Sequence, residues 1–295
     1  MPFLELSLDL TGLDPEAVEC ACFDAGALSV TLVDAADTPI LEPLPGTTPL
    51  WPSIRLTALY AEDTDQDLLT GELRRALARP ELVAGYRAIE DRVWEREWLK
   101  DFKPQRHGRR LWICPGGQSP PAADAAERVI VWLDPGLAFG TGTHATTALC
   151  LEWLDGTDVT GARVLDVGSG SGILSVAALA LGAAHALAID IDPQALLASR
   201  ENAERNGVAD RLEVRPAETD WGSGYDIVVA NILAEPLLAL APAIAAAVRP
   251  HGGLVLSGLL ASQAATVAEA YAPWFDIEPA RVRGDWAALA GRRRN

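Results

Sequence analysis

The stretch VLDVGSGSGILS, Val164 to Ser175, decides the fold. An apolar run runs into three glycines, Gly168, Gly170 and Gly172, and an apolar run then resumes at Ile173. A strand that turns abruptly into a helix needs glycine wherever φ turns positive, and the helix N-terminus then offers unpaired N–H groups to a ligand. Glycine turns of this kind belong to nucleotide-binding α/β sheets. Outward from it, HALAIDID reads as a strand and PQALLASRENAERNG as a helix, with Pro193 at its start and Gly207 at its end. YDIVVANIL is a strand, followed by a helix through APAIAAAV, the strand GLVLSGL and a last helix near QAATVAEAYA. From RLWICP onward the strict alternation of strand and helix predicts a parallel sheet covered by helices on both faces.

The first third has a different grammar. FLELSLDL alternates Leu4, Leu6 and Leu8 on one face of a half-buried strand. Asp14 caps a helix with Pro15 at its first position and Gly26 at its end. LSVTLVD, IRLTALYA and YRAIEDRVW are further strands, DQDLLTGELRRALA is a second helix, and TPILEPLPGTTPLW is a loop. The order β-α-β-β-α-β is that of a ferredoxin-like α+β module. WEREWLKDFKP reads as a linker helix with Trp94 and Trp98 packed between domains. The predicted organisation is a ferredoxin-like domain over 1–92, a linker helix over 93–104 and a Rossmann-like α/β domain over 105–295.

Composition narrows the setting. Of 295 residues, 49% are apolar, enough for real cores, yet no apolar run is long enough to span a bilayer and the N-terminus lacks a basic signal-peptide start. A cytoplasmic protein without membrane contact is expected. Cys20, Cys22, Cys114 and Cys150 lack zinc-site spacing and read as buried, reduced thiols, with no metal site. The net charge is −17 and no Lys or Arg precedes Arg55, so the chain repels a nucleic-acid backbone within a Debye length of roughly 8 Å. Adaptation to high salt, or solubility alone, would give the same balance. Charge thus constrains the partners without naming one.

The glycine spacing discriminates between cofactors. A dinucleotide fingerprint is G-x-G-x-x-G, whereas this turn is G-x-G-x-G with Asp166 two residues ahead of it. An acid aimed into the turn opposes a pyrophosphate and suits an ammonium. S-adenosylmethionine carries an ammonium, lacks phosphates and has ribose hydroxyls that need an acceptor. Asp190, about 20 residues past the turn, is the expected ribose acceptor, with Asp192 a weaker neighbour.

Ligands of such sheets lie beyond the carboxyl ends of the strands, which places Asn231 of VVANIL at the reacting centre. Many amino-group methyltransferases carry Asp/Asn-Pro-Pro-aromatic there, so that the amide oxygen and a backbone carbonyl accept from the substrate N–H. NILA keeps the Asn and replaces the rest. DPGLAFGTGTHATT, Asp134 to Thr147, adds a glycine loop, with Phe139 placed to cover the cofactor, and the hydroxyls of the helix start, Thr146 and Thr147 among them, converge near it. His144 invites a general-base role, but at a helix start it reads first as a capping or packing group.

These residues carry a resemblance. LDPGLAFGTGTHATT, VLDVGSGSGILSVAALALGA, AIDIDPQALLASRENAERNG and VVANILAEPL, together with PGTTPLW, WEREWLKDFKP, RLWICP and GLLASQ, are similar to the bacterial PrmA family of ribosomal protein L11 methyltransferases. The resemblance implies an N-terminal substrate-recognition domain, a mobile linker and a seven-stranded class I methyltransferase domain. It further implies an S-adenosylmethionine-dependent enzyme acting on the α-amino and lysine ε-amino groups of that basic ribosomal protein, to the trimethyl state. The cofactor residues it implies are Thr147, Gly168, Asp190 and Asn231, with Phe139 and Thr141 in the covering loop. Asp166, Gly170 and Thr146 join them from the turn and helix start, and Asn231 is the catalytic candidate. Ala145 stands where the family commonly has proline, a change expected only to loosen the helix start.

Two rivals remain at this level. A methyltransferase for RNA meets the acidic surface, and one for a small molecule leaves the N-terminal module unexplained. A non-catalytic scaffold for the ribosomal protein has to explain why Asp166, Asp190 and Asn231 are intact. A monomer that does not bind nucleic acid directly is expected.

Overall fold

The computed structural model of the chain describes residues 2–36, 50–89, 103–116, 118–121, 128–133 and 142–295. The chain divides into two compact units, Met1–Glu95 and Arg96–Asn295.

In the first unit the elements run β1 (Phe3–Asp9), α1 (Pro15–Asp24), β2 (Ser29–Asp34), β3 (Ile54–Ala61), α2 (Gln66–Ala76) and β4 (Gly85–Ile89). Its sheet has the antiparallel order β2-β3-β1-β4, the ferredoxin-like arrangement. Leu4, Leu6 and Leu8 alternate inward from β1 and share a core with Val18 and Cys22 of α1 and Leu69 and Leu73 of α2. Asp14 caps α1 by accepting from the Glu16 N–H. Gly26 follows its end at φ +92°, where a side chain would be strained. The expected linker helix falls outside the described residues except for Lys103 and Pro104, as do Trp94 and Trp98.

The second unit departs from strict alternation at its start. β5 (Gln105–His107), β6 (Leu111–Cys114) and β7 (Val129–Trp132) form a separate three-stranded sheet, with β5–β6 antiparallel, instead of joining the main one. Asp155 explains where it sits. That carboxylate, at the end of α3 (Ala145–Gly156), accepts the backbone N–H of Arg109 at 2.5 Å and of Arg110 at 3.3 Å, pinning the β5–β6 turn to the helix.

The main sheet then follows, with β8 (Arg163–Val167), β9 (His185–Asp190), β10 (Leu212–Pro216), β11 (Tyr225–Asn231) and β12 (Val248–Leu260) parallel to one another. Helices α4 (Ile173–Ala180), α5 (Pro193–Arg205), α6 (Ala234–Ala247) and α7 (Ala264–Tyr271) alternate with them except between β10 and β11, which no helix separates, a second departure from strict alternation. β13 (Phe275–Ile277), β14 (Arg281–Arg283) and β15 (Trp286–Arg293) close the unit. The order is β10-β9-β8-β11-β12-β15-β13, with β15 antiparallel to β12 and β13. This path has the expected seven strands, and β14 adds an eighth by pairing with β15.

Three strands after QAATVAEAYA escape the sequence pattern, so the helix there is not the last element. WAALAGRR is alanine-rich and favours helix by propensity, but the open edge of β12 recruits it as a strand, and tertiary pairing outweighs that preference. β8 and β11 carry apolar side chains on both faces, Val164, Leu165 and Val167 on β8 and Ile227, Val228, Val229 and Ala230 on β11, because both faces are covered, with α4 on one side and α6 on the other. The direction of crossover reverses between β8 and β11, which opens a crevice at their carboxyl ends. One thiol also differs from expectation: Cys20 is exposed on α1, while Cys22, Cys114 and Cys150 are buried, and all four are free.

Candidate functional site

The glycine turn opens that crevice. Gly168, Gly170 and Gly172 all have left-handed backbones, at φ +75°, +52° and +75°. Space demands glycine too, since a Cβ on Gly168 would collide with Ile232 Cγ2 and one on Gly172 would come within 2.9 Å of Ser199 Cα. The turn is held from two sides. Gly168 and Ser169 donate to the Ile189 carbonyl at 2.9 and 3.0 Å. Ser199 Oγ and Asn202 Nδ2, both of α5, donate to the Gly170 and Ser171 carbonyls at 3.1 and 2.9 Å.

Asp190, at the end of β9, accepts the Gly170 N–H on one carboxylate oxygen at 2.8 Å and the Asp192 N–H on the other at 3.0 Å. Each oxygen keeps a further lone pair for a ligand hydroxyl. Asp192 instead accepts the Gln194 N–H as the N-cap of α5, a structural duty.

Asp166 does not reach the pocket surface. It is fully buried beneath the turn, where one oxygen accepts from the Ser175 N–H and hydroxyl at 3.1 and 2.7 Å while Oδ1 has no partner. Burial pushes its carboxyl up to about 7, opposed by the Ser175 bonds and helped by the negative charge of Asp190.

Asn231 ends β11. Its Nδ2 donates to Thr147 Oγ1 at 3.1 Å, and its Oδ1 is buried without a partner. Thr147 therefore stands behind the pocket lining and holds Asn231, whereas Thr146 lines the pocket itself. His144 is the N-cap of α3, its Nδ1 accepting the Thr146 N–H at 3.4 Å and lying 2.7 Å from Thr146 Oγ1. The capping reading of His144 is thus the observed one, and Ala145 opens the helix directly after it. Phe139 and Thr141 lie outside the described residues.

A pocket of about 770 Å³ spans the carboxyl edge of the sheet, with Asp190 on β9, Gly168 just past β8, and Asn231, Gly258 and Trp286 on β11, β12 and β15. That volume suits a ligand of nucleoside size. Sequence reasoning missed Glu218 and Trp221, which line it just past β10, and Trp286 at the start of β15. The alternation of Leu212 and Val214 after Gly207 was a signal for β10. Nothing local marks Trp286.

One buried histidine stands apart. His107 is 4% exposed, neither ring nitrogen has a partner, and burial pushes its imidazole down to about 4. Among the described residues no cluster of His, Cys, Asp or Glu can hold a metal ion, and no helix is long and apolar enough to cross a membrane.

Comparison with known proteins matches the chain over nearly its whole length. The family profile described as ribosomal protein L11 methyltransferase (PrmA) matches residues 2–294. The ribosomal protein L11 methyltransferase of Klebsiella pneumoniae (strain 342) is 49% identical over 298 residues, covering 99% of this chain and 100% of that protein. Its counterpart in Escherichia coli (strain SMS-3-5 / SECEC) is 50% identical with the same coverage. The crystal structure of the ribosomal protein L11 methylase from Lactobacillus delbrueckii subsp. bulgaricus is 34% identical with a TM-score of 0.58, covering 66% of this chain and 100% of that one. Full-length identity at this level, on a glycine turn and strand-end asparagine that already assemble one pocket, places the chain in the ribosomal protein L11 methyltransferase (PrmA) family.

Proposed function

We propose that the protein transfers methyl groups from S-adenosylmethionine to the N-terminal α-amino group and lysine ε-amino groups of ribosomal protein L11, up to the trimethyl state. The observation that carries this reading is the buried, unpartnered Oδ1 of Asn231 at the strand end, its amide orientation set by Thr147. An acceptor oxygen left unpaired in a protein interior is costly unless a ligand N–H completes it.

The residues present fit the cofactor. Asp190 keeps acceptor capacity for ribose hydroxyls, the left-handed glycines bring backbone against the ligand, and Asp166 adds a carboxylate beneath the turn. When bound, the cofactor supplies a methyl group already activated by its sulfonium charge. The chain's own task is to present a neutral amine in line. Asn231 Oδ1 accepts one amine N–H and so directs the nitrogen lone pair, and orientation of this kind contributes on the order of 7–11 kcal/mol when it is near-attack. A lysine ammonium, with a reference pKa of about 10.4, must first lose a proton. Nδ1 of His144 is committed to Thr146 and His107 is buried, so the proton leaves to water.

The unit Met1–Glu95 is proposed to recognise the substrate, and the acidic chain to meet this basic protein directly, as a cytoplasmic monomer without RNA contacts. Mass spectrometry of large-subunit proteins incubated with this protein and S-adenosylmethionine tests the reading, with Asn231→Ala alongside. Methyl-mass steps on L11 alone, absent in the variant, support it. An unchanged mass despite measurable cofactor binding overturns it.

A further inference from the structure

We propose that Trp286, braced by His144, forms the wall of the acceptor-amine channel and determines how far methylation proceeds. This rests on the amine-methylation reading above. The pocket crosses the sheet edge in strand order, from Asp190 on β9 through Gly168 just past β8 and Asn231 on β11 to Gly258 on β12 and Trp286 on β15. The ribose acceptor lies at one end and the amine acceptor in the middle. The stretch from β12 to β15 is therefore left for the incoming amine.

Trp286 is placed there by register. Asn231 pairs with Ser257 on β12, and three residues further out on the same strand Leu260 pairs with Trp286, so the indole stands at the outer rim beyond Asn231. Its ring meets His144 edge to face, with centroids 4.8 Å apart and planes at 70°. His144 cannot swing freely, because Nδ1 is tied to Thr146 in the first turn of α3, the same turn whose Thr147 orients Asn231. Arg283 on β14 adds a second brace, its Nη2 donating to both carboxylate oxygens of Glu152 in α3 at 2.8 and 3.0 Å. One helical turn thus fixes both the polar and the aromatic contact of the acceptor.

The chemistry requires both. Each round begins with the loss of one proton from the ammonium to water, then forms an N–C bond as the S–C bond breaks and leaves a neutral thioether; the third product is quaternary and keeps no proton. Each round also removes an N–H that Asn231 Oδ1 can accept. A dimethylamine has no N–H left for it at the moment of the third transfer unless it stays protonated and unreactive. An aromatic face holds an alkylated amine or ammonium without needing N–H donors. Trp286 therefore takes over from Asn231 as methyl groups accumulate.

The experiment follows intact mass of ribosomal protein L11 over time with S-adenosylmethionine and the full chain, comparing wild type, Trp286→Phe and Trp286→Ala. Binding of S-adenosylhomocysteine is titrated in parallel. The expected result for Trp286→Ala is accumulation of mono- and dimethylated product, with the trimethyl step slowed by about tenfold relative to the first. Trp286→Phe restores the full ladder, and cofactor-product binding stays at the wild-type level in both. A wild-type ladder from Trp286→Ala overturns the inference, as does uniform slowing of all three steps or loss of S-adenosylhomocysteine binding. No transfer by the wild-type protein overturns the substrate assignment itself, and this inference with it.

Discussion

Asn231 and Thr147 are 84 residues apart in sequence and joined by a hydrogen bond of 3.1 Å from the amide Nδ2 to the hydroxyl. That bond decides which end of the amide is already committed within the protein. With Nδ2 occupied, Oδ1 is left to accept. Thr147→Val removes the acceptor at nearly constant volume and frees the amide to turn over. We expect kcat to fall by up to about a hundredfold with a smaller change in KM, and Thr147→Ser to restore it. Steady-state kinetics of methyl transfer to L11 distinguishes this from a packing defect, which would lower the melting temperature equally in both variants.

Glycine substitutions separate conformational strain from collision. Gly168 combines φ +75° with a side-chain clash against Ile232, whereas Gly222 has φ +73° and open space around it. Gly222→Ala should cost about 1–2 kcal/mol through its left-handed backbone alone and leave cofactor affinity unchanged. Gly168→Ala should cost more and abolish cofactor binding. Denaturant midpoints together with calorimetric titration of S-adenosylmethionine check both halves.

The two acids of AIDID should respond differently to removal. Asp190→Ala strips the Gly170 N–H of its acceptor and takes away the proposed ribose contact, so cofactor affinity collapses. Asp192→Ala removes only the N-cap of α5, costing about 1 kcal/mol of stability with affinity intact. Equal loss of affinity in both would contradict the division of roles.

Two buried groups tilt stability in opposite directions with pH. The folded-state pKa of His107 is pushed down from its ordinary 6.5 to about 4, so its contribution is full above 6.5 and is lost as pH falls toward 4. That of Asp166 is pushed up from 3.8 to about 7, so its contribution is full at acid pH and is lost as pH rises through about 7. Between pH 4 and 6.5 the slopes oppose each other, and from 6.5 to about 7 only the Asp166 decline remains. Asp166→Asn should therefore be more stable than wild type at pH 8, and should lose stability more steeply on acidification below 6.5. Urea midpoints at pH 5, 6, 7 and 8 in the absence of cofactor would show it; a parallel profile for the two proteins would refute it.

The legible parts of this protein are those written in local chemistry. Alternating Leu4, Leu6 and Leu8, the cap Asp14, the prolines that open α1 and α5 and the left-handed glycines at 168, 170 and 172 all act through neighbours a few residues away, so sequence alone determined these elements and the cofactor turn, while the capping role of Asp192 came from the structure. The strand-end positions of Asp190 and Asn231 followed from the same local reading.

Only the tertiary structure decided the rest, because it depends on pairings between distant segments. The sheet of β5, β6 and β7 stands apart because Asp155 of α3 captures the Arg109 and Arg110 amides. WAALAGRR becomes β15 because β12 leaves an edge to fill, and that pairing alone carries Trp286 to the rim of the pocket. Glu218 and Trp221 reach the site because β10 takes the outer place beside β9. Asp166 is buried under the turn rather than exposed in it, because Ser175 of α4 packs over one oxygen. Sequence spacing identifies the residues of a strand end, but the direction in which an amide or a carboxylate points is set by whichever distant donor the fold brings to it.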